Sequence, residues 1–96
     1  MSNDRKEFNE AIDLTEEIIK EYCAKFNTEY IYAENKNELL KYAISSSVFC
    51  IILHSDSNAT LKDINTLIAT IESMYKEHNY IDTAITTNSI FINIAY

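Results

Sequence analysis

The sequence predicts an α/β (α+β) two-layer sandwich with element order α-β-α-β-α-β-β, a four-stranded mixed sheet and a C-terminal hairpin. Three observations carry that expectation. Two long stretches repeat apolar residues at three- and four-residue spacing, the mark of amphipathic helices. The run Val48–Leu53 is apolar on both faces, as a central strand requires. The last segments, Tyr80–Thr86 and Ile90–Tyr96, are short, strand-like and joined by the polar turn Thr87-Asn88-Ser89.

The elements follow in order. A first helix is expected from Asp4 to Phe26, with Phe8, Ala11, Ile12, Thr15, Ile18, Ile19, Tyr22, Cys23 and Phe26 forming one stripe. Asp4 and Glu7 have the spacing of a capping box, and Asn27 stands where a helix C-terminus favours glycine. Glu29–Ala33, rich in Tyr and Ile, reads as a strand. Asn35 to Glu38 supply a second start signal before Leu39, Leu40, Ala43 and Ile44, a short helix closed by Ser45-Ser46-Ser47. After the central strand and the loop His54–Asn58, a helix is expected over Ala59–His78. Leu61, Ile64, Leu67, Ile68, Ile71, Met74 and Tyr75 lie along its apolar side. In the last strand Ile90, Ile92, Ile94 and Tyr96 alternate with Phe91, Asn93 and Ala95.

Composition bounds the function. Ninety-six residues with 47% hydrophobic and 24% charged side chains suit one compact domain, 1–96, with one modest core. The chain has no Gly and no Pro, where average usage gives about seven and five. Without glycine no phosphate-cradling loop can form, which excludes a self-contained P-loop or dinucleotide-binding fold; no cofactor is expected. A net charge of −7 argues against direct nucleic-acid binding, which needs a basic face. Two cysteines, a polar N-terminal run and no apolar run of membrane-spanning length predict a reduced, cytoplasmic protein that does not enter the membrane. Fifteen Ile against one Val, ten Asn and seven Lys against one Arg point to A/T-rich codons, as in a low-GC bacterium or a phage or plasmid within one.

Several short strings resemble the C-terminal domain of FtsZ, the tubulin-like division GTPase. They are Ile12-Asp13-Leu14-Thr15-Glu16-Glu17-Ile18, Tyr30-Ile31-Tyr32, Lys41-Tyr42-Ala43-Ile44-Ser45-Ser46 and Thr60-Leu61-Lys62-Asp63-Ile64-Asn65. The similarity spans about Ala11 to Tyr96, with two loop deletions, and lacks the family's loop glycines and its GTP-binding domain. The resemblance implies a stand-alone assembly module that joins or caps a tubulin-like filament. Asp13 and Glu16 then match the acidic positions that reach a neighbouring subunit's nucleotide pocket; the family's Asn is replaced by Ala11.

Read from the residues alone, Glu7, Glu10, Asp13, Glu17 and Glu21 form an acidic flank on the first helix. Such a flank either opposes a basic groove on a partner or only keeps the protein soluble. Tyr30 and Tyr32, with Tyr42, Tyr80 and Tyr96, fit either a binding surface or a mixed core. The expected partner-binding set is Glu10, Asp13, Glu16, Glu17, Tyr30 and Tyr32. His54 with Asp56, His78, Cys23 and Cys50 complete no metal site, and the three serines lack a nucleophile elbow. No catalytic set is expected. The leading expectation is a small non-enzymatic protein that binds another protein and inhibits or modulates it, of the kind phages and mobile elements encode. An unprotected apolar last strand would aggregate, so Ile90–Tyr96 is expected either inside the sheet or paired across a homodimer.

Overall fold

A computed structural model describes residues 2–35, 46–54, 59–75 and 79–95. The helix expected over Leu39–Ile44 lies outside these residues, as do Asp56, His78 and Tyr96. The described elements run α1 (Ser2–Phe26), β1 (Glu29–Asn35), β2 (Ser46–Ile52), α2 (Leu61–Glu72), β3 (Tyr80–Ile85) and β4 (Ser89–Ala95). This is an α+β fold with two described helices and one four-stranded sheet.

α1 starts two residues before the expected cap. Its end follows the sequence signal. Asn27 adopts φ 51°, the left-handed conformation, and the Thr28 amide donates to the Cys23 carbonyl at 3.0 Å. That six-to-one bond is a Schellman cap, with Asn in the glycine role. α2 begins at a capping box: the Asp63 amide donates to Thr60 Oγ1 at 3.2 Å, and the Thr60 amide donates to Asp63 Oδ2 at 2.9 Å. It closes at Ser73, five residues short of the expected end.

Ser46 and Ser47 do not close a helix; they open β2. The sheet has order β1-β2-β4-β3, and all three pairings are antiparallel. It is therefore not mixed. A helix between two strands favours parallel neighbours, and β2 and β3 do run the same way. β4 folds back between them through the terminal hairpin, so the two parallel strands never share hydrogen bonds. The last strand is central, and both its edges are paired within the chain. Of the two expected positions it takes the one inside the sheet, which leaves β1 and β3 as the edges where another strand could add.

Directly opposed residues share a face in an antiparallel sheet. One face carries Tyr30, Tyr32, Phe49, Ile51, Ile90, Ile92, Ile94 and Ile81. Both helices pack on it. Phe8, Ile12, Ile19, Tyr22 and Cys23 of α1 and Ile64, Leu67 and Ile71 of α2 join Phe49, Ile51, Ile90, Ile92 and Ile94 in one cluster. Among the described residues no element lies over the other face.

Candidate functional site: an acidic helix and a sheet face

α1 buries Phe8, Ile12, Thr15, Ile19 and Tyr22, a three-and-four spacing that leaves the opposite side in water. On that outer side Glu10, Asp13, Glu17 and Glu21 are exposed. Leu14 lies among them at 57% exposure, four residues after Glu10 and three before Glu17, so their side chains are neighbours on the helix surface. The ion pair recorded on this flank is Lys20 with Glu17 at 3.6 Å. A solvated pair of this kind contributes little and leaves the flank acidic.

The structure splits the expected partner-binding set in two. Glu10, Asp13 and Glu17 point outward. Glu16, on the flank of α1, and Tyr30 and Tyr32, on the strand beneath it, are half-buried. The Tyr30 hydroxyl donates to Glu16 Oε2 at 2.8 Å, tying helix to edge strand. Burial, reinforced by that acceptor, pushes the Tyr30 phenol up to about 12, so it remains a donor at neutral pH. Tyr32 stacks on Phe49 with centroids 4.5 Å apart and planes 8° apart. These two rings join the layers.

Beside them Thr15, with no exposed surface, donates to the Ala11 carbonyl at 2.7 Å and lies 2.6 Å from the Tyr75 hydroxyl. Its one hydrogen being committed to Ala11, Tyr75 donates to Thr15. Burial raises the Tyr75 phenol to about 12. The sequence gives no hint of this pair beyond a threonine on an apolar stripe.

A groove of about 390 Å³ runs between the C-terminal half of α1 and the start of α2. Ile18, Tyr22, Phe26 and Leu67 form its floor, with Lys25, Lys62 and Asp63 on its rim. The capping-box hydrogen bonds from Thr60 hold the Asp63 carboxyl below its ordinary range, helped by the two lysines. The groove thus carries paired charges rather than one sign.

The remaining candidates stay apart. Cys23 is buried on the helix side and Cys50 half-buried on the open face; both are free. Burial raises the Cys23 thiol to about 11, which makes it inert rather than reactive. His54 is exposed at the end of β2. Among the described residues no group of three or more His, Cys, Asp or Glu could hold a metal. No described helix is long and apolar enough to cross a membrane.

The second surface that sequence reasoning missed is the open face of the sheet. Ile31, Cys50, Phe91 and Ala84 form a row across all four strands, with Ile31 57% and Phe91 41% exposed. The alternation in β4 was the available signal, since it places Phe91 opposite to Ile90 and Ile92. No family model, curated protein or solved structure matches the chain.

Proposed function

We propose that this protein is a non-enzymatic binding module that docks on another protein through the outer face of α1 and modulates or blocks it. The observation that carries the reading is Leu14, an exposed apolar side chain framed by Glu10, Asp13 and Glu17. Set in the middle of an acidic ridge, Leu14 supplies what a docking face uses, an apolar anchor with charged surroundings that steer encounter and fix register. The fitting partner surface is basic with a small apolar pocket. A nucleic-acid-handling protein offers such a surface, and an acidic module seated there would exclude the nucleic acid. Small size, acidity and A/T-rich coding support an inhibitor of the phage or mobile-element kind. The assembly-module reading needs Asp13 and Glu16 to act together on a neighbour, but Glu16 is committed to Tyr30 while Asp13 is exposed; the acidic ridge therefore supports the inhibitor reading better.

The test is a tagged pull-down from a low-GC bacterial lysate at low and high salt, run beside a Glu10→Lys/Asp13→Lys/Glu17→Lys variant and a Leu14→Ser variant. A protein retained by the parent, lost with both variants and released by salt supports this face as the site. Retention that neither variant nor salt disturbs overturns it.

A further inference from the structure

We infer that the open face of the sheet is a second docking surface, and that its partner is a cationic amphipathic helix on another protein. The face has an apolar centre, the row Ile31–Cys50–Phe91–Ala84. Adjacent residues on one strand face are about 7 Å apart, so the rows on either side flank an object laid over this one. One flanking row ends in Glu29 at the β1 edge, and the other ends in Asp82 at the β3 edge. Both carboxylates are exposed. Beside Asp82 lies the half-buried Asn93. Two exposed carboxylates, one at each edge strand, therefore border the apolar row.

The sheet offers no balancing cation. None of its four strands contains a Lys or Arg. That asymmetry selects the occupant. A second copy placed face to face would set carboxylates against carboxylates on a chain already carrying −7, and like charges in register cost affinity. A helix with an apolar stripe bordered by Lys or Arg matches both the row and its borders. Its stripe covers Ile31, Cys50 and Phe91, while its cations reach Glu29 on one side and Asp82 on the other. This surface is separated from the outer face of α1 by the whole helical layer, so it does not depend on the function proposed above.

The probe is a synthetic amphipathic helix with a leucine stripe flanked by lysines, with a glutamate-flanked counterpart as control. Titrated into the isotope-labelled full chain, the lysine helix is expected to shift the amide signals of Ile31, Cys50, Ala84 and Phe91. Phe91→Ser should weaken binding by about tenfold or more, as loss of a central aromatic anchor does, while leaving thermal unfolding nearly unchanged. Glu29→Lys/Asp82→Lys should reverse the preference toward the glutamate helix. The α1 charge-reversal variant should retain the sheet footprint. No binding of the lysine helix, a footprint confined to α1, or affinity indifferent to Phe91→Ser overturns the inference. Concentration-dependent dimerisation abolished by Phe91→Ser also overturns it, by giving the face to a second copy.

Discussion

The two faces of the sheet share one backbone but meet different surroundings. Toward the helices, Ile90, Ile92 and Ile94 of β4 and Phe49 and Ile51 of β2 have no exposed surface. On the other side, their immediate neighbours Phe91, Cys50 and Val48 remain partly or largely exposed. Alternation along a strand turns one apolar segment into a buried core on one side and an exposed apolar surface on the other. The difference lies in what covers each side, not in how apolar the residues are. On the covered face eight buried apolar residues of the two helices join five of the sheet in one cluster among the described residues. The open face keeps the apolar row Ile31–Cys50–Phe91–Ala84, with Val48 and Ile52 in the rows beside it and Glu29 and Asp82 at the edges.

The sharpest contrast comes from adjacent residues in β4. Ile92→Ala should lower stability by about 2–5 kcal/mol, through lost burial and the cavity left in a packed layer. In a domain of this size each kcal/mol moves the melting temperature by roughly 4–8 °C. Phe91→Ser, one residue away on the other face, should change stability by no more than about 1 kcal/mol. Chemical denaturation of both variants reads the comparison directly. Equal losses would mean that the open face is covered in solution, either by the chain itself or by a second copy.

A smaller effect probes the polar contacts that the covered face admits. Thr15→Val keeps the shape of the side chain but leaves the Tyr75 hydroxyl without its acceptor, an expected loss of about 1–3 kcal/mol. Tyr75→Phe in the same background should restore part of that loss, because both polar partners are then gone. A double-mutant cycle by thermal unfolding measures the coupling. Coupling near zero would show that the two groups do not interact.

Much of this architecture is legible in the chain. The stripe from Phe8 to Phe26 specifies α1, and Asn27 marks its end because no glycine is present to do so. The apolar run of β2 announces a strand flanked on both sides. The sheet's direction was less legible, because a helix between strands implies parallel neighbours and nothing local reveals β4 entering between β2 and β3. The expected site suffered from the same blindness to faces. Tyr30 and Tyr32 look like interface residues by type, but strand parity turns them under α1, where they hold Glu16 and Phe49. Glu16 lies beside Glu17 in sequence yet faces another direction on the helix. Phe91 went unassigned because its alternation with isoleucines reads equally well as two-sided burial.

Alkaline titration separates the covered tyrosines from the exposed surface. Tyr30 and Tyr75 have phenols raised from 10.0 to about 12, by burial first and, for Tyr30, then by its bond to Glu16. The unfolded chain releases these protons near the ordinary value, while the folded chain holds them. Their contribution to stability is therefore whole below about pH 10 and is lost as pH rises through about 12. Urea midpoints measured from pH 8 to 12 should fall across that window. The fall should be shallower in Tyr30→Phe and Tyr75→Phe. An unchanged slope in both variants would place the alkaline loss elsewhere.

The last comparison needs no change in stability at all. Each layer carries one free thiol: Cys23 buried on the inner side of α1, and Cys50 half-buried in the apolar row of the open face. With its thiol raised to about 11, Cys23 has on the order of one part in a thousand as thiolate at pH 8, and burial restricts access further. Iodoacetamide should therefore modify Cys50 at least about tenfold faster than Cys23, as peptide mass spectrometry would resolve. Adding the lysine-flanked helix should slow Cys50 and leave Cys23 unchanged. Protection of Cys50 by that helix, relieved by Phe91→Ser, would place the partner over the uncovered row by a chemical readout independent of affinity. Equal rates at the two thiols would erase the distinction between the faces and with it the reason to expect a partner on only one of them.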